Sequence, residues 1–133
     1  MRDRSGRFLA IQASMERNVC LPTERLFTDE EKCSLRGLML ANTCFDRVDF
    51  RGADLAHAVF DGVSLVACDF RGARLTLALF RRCNLRGALF DRSTLLRGSR
   101  FDGSNLVGAR GLSRSGRAHV HRTGGLLLVS LLA

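Results

Sequence analysis

The chain has no tryptophan and no tyrosine, a single proline and a single lysine. Beyond Glu31 it carries acid only as aspartate. No apolar run approaches the roughly 20 residues that a membrane-spanning helix needs; GGLLLVSLLA at 124–133 is far too short. The opening MRDRSGRFLAIQASMERN lacks a sustained apolar stretch, so no signal peptide is expected. Cysteine is odd in number, at five, and forms no CxxC pair, which speaks against a redox or metal role. Histidine occurs only as His57, His119 and His121. None has a partner at catalytic spacing, and the last two have no third ligand nearby for a metal. The glycines mark corners and form no phosphate-binding loop. The expectation is a protein that is not an enzyme, with no cofactor and no metal.

Phenylalanine supplies all the aromatic residues, and its placement is regular. From residue 48 to 96 every fifth residue is large and apolar: Phe50, Leu55, Phe60, Leu65, Phe70, Leu75, Phe80, Leu85, Phe90, Leu95. Two positions earlier sits something small: Val48, Ala53, Ala58, Val63, Cys68, Ala73, Ala78, Cys83, Ala88, Ser93. Five residues of α-helix advance about 500°, so this set would spiral around a helix and form no stripe. In one straight strand, an odd spacing sends successive members to opposite faces. The chain therefore turns once per unit, with the large and the small residue pointing inward and the other three making a corner. That is a solenoid whose coils cover one another. Phe and Leu alternate without fail, so a coil that stacks like on like holds an even number of units. Four is the natural choice, because four corners close a square.

Ala53-Asp54-Leu55, Cys68-Asp69-Phe70-Arg71-Gly72, Cys83-Asn84-Leu85-Arg86-Gly87 and Ser104-Asn105-Leu106 resemble the pentapeptide-repeat family, whose consensus is A-(D/N)-L-x-x. The resemblance covers residues 33–110. It implies an all-β solenoid, a right-handed quadrilateral β-helix with four units to the coil. Fold of this kind does not name a function. The resemblance also implies two readings: a rigid rod for protein–protein interaction, or a mimic of duplex DNA that binds type II topoisomerases such as gyrase. Mimicry needs an acidic surface, and this chain has a net charge of +8. It also lacks the loop insertions of the quinolone-resistance members.

Three segments follow. Residues 1–32 are expected to cap the first coil, with a helix within 1–20 (Phe8, Ile11, Met15, Val19) that Pro22 stops, and a capping box at Thr28 and Glu31. Residues 33–110 are the β-helix, opening with weaker units on Leu35, Leu40 and Phe45. Leu38 is large for a small position. One extra residue is expected between Leu95 and Phe101, as a bulge. Residues 111–133 read as a basic, flexible linker and an apolar tail that either packs on the last coil or supports a dimer. Cys33, Cys68 and Cys83 fall on small inward positions and read as reduced core residues of a cytoplasmic protein.

Charge is uneven. Residues 33–73 hold four Arg and five Asp, whereas 74–100 hold seven Arg and only Asp91. Asp61, Arg81 and Asp102 are expected in one alternating column. Arg74, Arg82, Arg86, Arg97 and Arg100 have no evident partner in that register and make the candidate partner surface, directed at an acidic protein or at nucleic acid. Leu77, Leu79 and Leu96 are its apolar members, with Leu96 expected about one coil above Thr76.

Overall fold

The computed structural model describes residues 27–33 and 35–127. The helix expected within 1–20 and the end of the apolar tail, residues 128–133, lie outside the described residues.

Successive coils pair in parallel, and the register is twenty residues. Strands β1 (Met39–Ala41), β2 (Val59–Asp61) and β3 (Leu79–Arg81) form one sheet in that order, with Leu40 beside Phe60 and Phe60 beside Phe80. Three other pairing points recur at five-residue intervals: Cys44 with Ser64, Asp49 with Asp69, Asp54 with Arg74. Each coil therefore has four sides. We call them a (through residue 60), b (65), c (70) and d (75).

The local cause is the corner. Its second residue has positive φ in almost every unit, at eight glycines from Gly37 to Gly108 and also at Asn42, Arg47, His57, Ala67, Leu77 and Arg82. This left-handed residue turns the chain through a corner of the square, and the next three residues run straight along a side.

Inside, the alternation of Phe and Leu acquires a reason. Phe60, Phe80 and Phe101 stack on side a, with centroids 4.9 and 5.0 Å apart and planes within 4°. Phe50, Phe70 and Phe90 stack on side c at 5.3 and 5.6 Å. The two columns meet edge to face, as in Phe70 and Phe80 at 86°, which is the favourable arrangement between aromatic quadrupoles. Leucines fill the two remaining sides. The first coil departs from this order, with Leu40 on side a and Phe45 on side b, both buried.

The extra residue lies one unit earlier than expected. Arg74 pairs with Leu95, Leu79 with Arg100 and Asn84 with Asn105, so the register has become twenty-one. Leu96, not Leu95, continues the column above Leu75, and Thr94, not Ser93, takes the small inward position; Ser93 and Leu95 are exposed. The corner Asp91-Arg92-Ser93 has no positive-φ residue. Side-chain hydrogen bonds make it instead. The Asp91 carboxylate accepts from the Ser93 and Gly72 amides, and the Thr94 hydroxyl accepts from the Asp91 amide. The inserted residue falls in this corner, which Asp, Ser and Thr side chains close in place of a left-handed residue.

Cys68 and Cys83 are buried as expected, but they are more than small hydrophobes. Each thiol donates to a carbonyl of the coil below: Cys68 to Phe45 at 2.9 Å and Cys83 to Phe60 at 3.1 Å. Thr94 and Ser104 do the same toward Phe70 and Phe80. Burial pushes the thiols of Cys68 and Cys83 up to about 12 and about 11, which keeps the S–H proton in place. Cys33 is exposed, because the chain there is leaving a helical turn and has not joined a side. Cys44 is disulfide-bonded.

At the lower end, α1 (Asp29–Lys32) begins with the expected capping box between Thr28 and Glu31. Phe27 lies on Phe50, with centroids 5.8 Å apart, and Lys32 is buried with its ammonium 3.1 Å from Asp49. At the upper end, the segment read as a flexible linker is ordered. Arg114–Arg122 forms helix α2, capped by the Ser113 hydroxyl, which accepts from Gly116 N–H. Val120 is fully buried on the last coil. A Cβ on Gly125 would lie 2.5 Å from Val120 and 3.1 Å from Phe101 and Leu106, so α2 sits directly over the core column. The His119 ring contacts the Ser99 hydroxyl and carbonyl. Leu126 then pairs with Asn105 on side b. Ser113 is the cap and Val120 the anchor of this helix, and the Gly and Ser content of the segment hid both.

Candidate interaction surface

The column of side chains fills the interior, so the residues with freedom to act stand outside, on a grid fixed by the register. Among the described residues no group of three or more His, Cys, Asp and Glu is placed to hold a metal. A cleft of about 270 Å³ opens at the upper end between Leu106, Ala109, Leu112, Arg117 and Leu127.

The acidic residues are mostly engaged. Asp49 takes Arg51 and Lys32, and Asp69 takes Arg71. The hydrogen bonds from Arg51, with help from Lys32, hold the Asp49 carboxyl well below the usual carboxylate range. Asp61 and Arg81 are neighbours in the register, as the column of charge required, but Arg81 closes neither ion pair. Arg82 reaches Asp61 at 2.8 Å, and Arg100 reaches Asp102 at 3.2 Å. Arg82 stands at a left-handed corner, φ 52°, and its side chain turns back toward the coil below. Two of the five arginines proposed as unpartnered, Arg82 and Arg100, are therefore paired. The Arg82 guanidinium lowers the Asp61 carboxyl from its ordinary value. As exposed pairs, screened by solvent, they add little to stability.

Arg74, Arg86 and Arg97 make no ion pair among the described residues, and all three are exposed. They do not form one cluster. Arg86 stands at the corner between sides b and c. Arg74 lies on side d, directly below Leu95. Arg97 follows at the corner between d and a, where its carbonyl accepts from Leu77 N–H at 2.9 Å. Arg92, at the opposite corner of side d, is exposed as well.

The apolar candidates divide similarly. Leu77 is half exposed, at 52%, and its side chain lies over Gly98, where a Cβ would approach to 2.7 Å. Leu79 is partly covered on side a, in the column Met39, Val59, Leu79, Arg100. Leu96 is not an outward member of the surface; it is partly buried and packs against the core. Its place outside belongs to Leu95, 49% exposed. The frame shift at Asp91 is the reason in both cases.

The twenty-residue register, the inward pair in each unit and the left-handed corners are features of one repeat. A family model described as pentapeptide repeats matches in eight copies, over residues 33–72, 43–82, 58–95 and 68–110. The chain belongs to the pentapeptide-repeat family. Solved pentapeptide-repeat proteins are similar to it. Rfr23, from the cyanobacterium Cyanothece 51142, is 25% identical over 53% of this chain and 44% of its own, with a TM-score of 0.38. A trypsin-treated form of QnrB1, a plasmid-mediated fluoroquinolone resistance protein, is 21% identical over 59% of this chain and 53% of its own, with a TM-score of 0.41. A pentapeptide-repeat protein of the Arabidopsis thaliana thylakoid lumen is 24% identical over 67% of this chain and 74% of its own, with a TM-score of 0.47. The chain thus spans about half the length of the first two. No curated protein matches it. No helix among the described residues is long and apolar enough to cross a membrane.

Proposed function

We propose that this pentapeptide-repeat protein is a non-catalytic, right-handed quadrilateral β-helix that presents a rigid surface to another protein. The observation that carries this reading is the packed interior. From Leu35 to Leu106 the inward positions are closed by side chains in contact, and a filled column leaves no room for a substrate. What varies from coil to coil is the outside, and each outward residue is held at a defined height and side. The segment before residue 33 caps the lower end, a role supported by Phe27 on Phe50. In this reading the apolar tail after residue 127 is a candidate dimer contact. A cytoplasmic setting accords with the reduced thiols of Cys68 and Cys83. The disulfide at Cys44 opposes it, since such bonds persist in oxidising compartments; alkylation of Cys44 in freshly lysed cells decides the point.

Mimicry of duplex DNA at a topoisomerase is the weaker reading, because the net charge of +8 has the wrong sign. Capture experiments at several salt concentrations, with gyrase and duplex DNA as separate baits beside a native extract, test the proposal. A stoichiometric protein partner supports it. Capture of DNA alone, with affinity falling steeply as salt rises, would replace it with nucleic-acid binding.

A further inference from the structure

Side d differs from the other three. Its outward column runs Asp54, Arg74, Leu95; the two upper members are exposed, and Arg74 makes no ion pair among the described residues. Its flanking corners bring Arg92 on one hand and Leu77 with Arg97 on the other, all exposed. Three straight residues of side span about 10 Å, so three guanidinium groups and two leucines share a surface of little more than one coil's width. The insertion at Asp91 produces this. By moving the frame one residue, it turns Leu96 inward and leaves Leu95 standing outside above Arg74.

We propose that side d, between its third and fourth coils, is a docking surface for an acidic segment of a partner protein that also carries aliphatic side chains. This rests on the reading of the protein as an interaction platform. Carboxylates would meet Arg74, Arg92 and Arg97, and an aliphatic residue would lie across Leu77 and Leu95. Charge complementarity selects the occupant. A second copy of this chain carries a net +8 and so offers this basic surface no charge complement. Nucleic acid gains nothing from two leucines, finds no aromatic ring here for a base to stack on, and meets the Asp91 carboxylate at the same corner. An acidic, aliphatic peptide uses both kinds of group. The surface is rigid before binding, so little order is lost on its side of the complex.

The test uses the full chain and fluorescein-labelled ten-residue peptides: alternating Glu and Leu, alternating Glu and Ser, and alternating Lys and Leu. A 20-base-pair duplex and vesicles of phosphatidylcholine with phosphatidylserine are read alongside. The Glu/Leu peptide is expected to bind at least tenfold more tightly than either other peptide. Arg74→Glu with Arg97→Glu is expected to weaken it tenfold or more, and Leu77→Ser with Leu95→Ser at least threefold. Arg86→Glu, at the far corner, is expected to leave it within twofold. All of these residues are exposed, and unchanged thermal unfolding shows that each variant is folded. Equal loss with Arg86→Glu would reduce the effect to net charge and overturn the proposal. Equal binding of the Glu/Ser peptide would remove the leucines from it. Tighter binding of the duplex or the vesicles, weakened by the same side-d changes, would assign the surface to phosphate instead. If a natural partner is captured but only changes on another side release it, side d is excluded while the platform reading stands. If no partner is captured at all, the platform reading itself fails.

Discussion

The hydroxyl of Thr94 donates to the carbonyl of Phe70, one coil below, at 2.9 Å. It also accepts from the Asp91 amide at 3.1 Å. One side chain thus closes the irregular corner and ties it to the regular coil beneath. Thr94→Val keeps the volume and removes both bonds. The Phe70 carbonyl still accepts from Ala73 N–H, so the expected loss is about 1–2 kcal/mol, read as a lower midpoint in urea. An unchanged midpoint would show that the corner holds without it.

Phe80 is fully buried between Phe60 and Phe101. Phe80→Ala opens a gap in the middle of a ring column whose neighbours are fixed by the backbone register and cannot collapse into it. The expected cost is about 3–5 kcal/mol. Phe70→Ala should cost a similar amount, and a much smaller loss at either site would mean that the coils slide to fill the space.

The corners make two opposite forecasts. Gly111 has φ 85°, and a Cβ there would lie 1.7 Å from the Phe90 carbonyl oxygen. Gly111→Ala is therefore expected to displace the chain leading to α2, visible as lost helical signal and a lower melting temperature. Ala67 has φ 58°, a conformation that costs an L-residue about 1–2 kcal/mol. Ala67→Gly relieves it, at about 0.5–1 kcal/mol of unfolded-state entropy. The net outcome is a small rise in stability by chemical denaturation.

Val120→Asp places a charge against Phe101 and Leu106 and should lift α2 from the upper end. The released end exposes backbone edge and apolar side chains, which pair with other copies. Size-exclusion chromatography is expected to show oligomers; a monomeric, stable variant would show that α2 is not needed to cover the coil.

Acid should destabilise the protein. Asp49, bonded by Arg51, Asp61, bonded by Arg82, and Asp91, bonded by Ser93, have carboxyls below their ordinary value in the folded chain. In Asp69, burial pulls upward but the bonds from Arg71 prevail, and it too is lowered. The unfolded chain thus holds more protons near its carboxyl pKa of about 3.9, and this stability, complete above that value, is lost as pH falls below it. Melting temperatures at pH 7 and pH 3 should differ for the native protein and differ less in Asp49→Asn.

The repeat was legible because each unit states it twice, in a large residue such as Phe70 and in a small one such as Cys68. Leu95 and Leu96 show where that signal fails. Both are leucines, and the five-residue count favours the wrong one. The discriminating cue was the corner: Asp91-Arg92-Ser93-Thr94 offers side-chain oxygens and no glycine, the composition of a turn closed by side chains. For Arg82 and Arg100 the register placed the right charges near each other, but which arginine reaches which carboxylate depends on side-chain direction at a corner, and spacing does not encode that. Helix α2 was hidden for another reason. Its nine residues have only Val120 and Gly116 buried, too few for a periodic stripe, and its order comes from the coil beneath it.

The backbone bonds that join the coils, such as Phe80 N–H to the Arg100 carbonyl and Leu85 N–H to the Asn105 carbonyl, run from one coil to the next. Tension applied between the two ends of the rod therefore loads them along their length, and they yield in sequence and not all at once. Each twenty-residue coil that lets go would release about 70 Å of chain. Pulled from its ends, the protein should pay out like thread from a spool, in steps of that size, at forces well below those of folds whose strands must shear past one another.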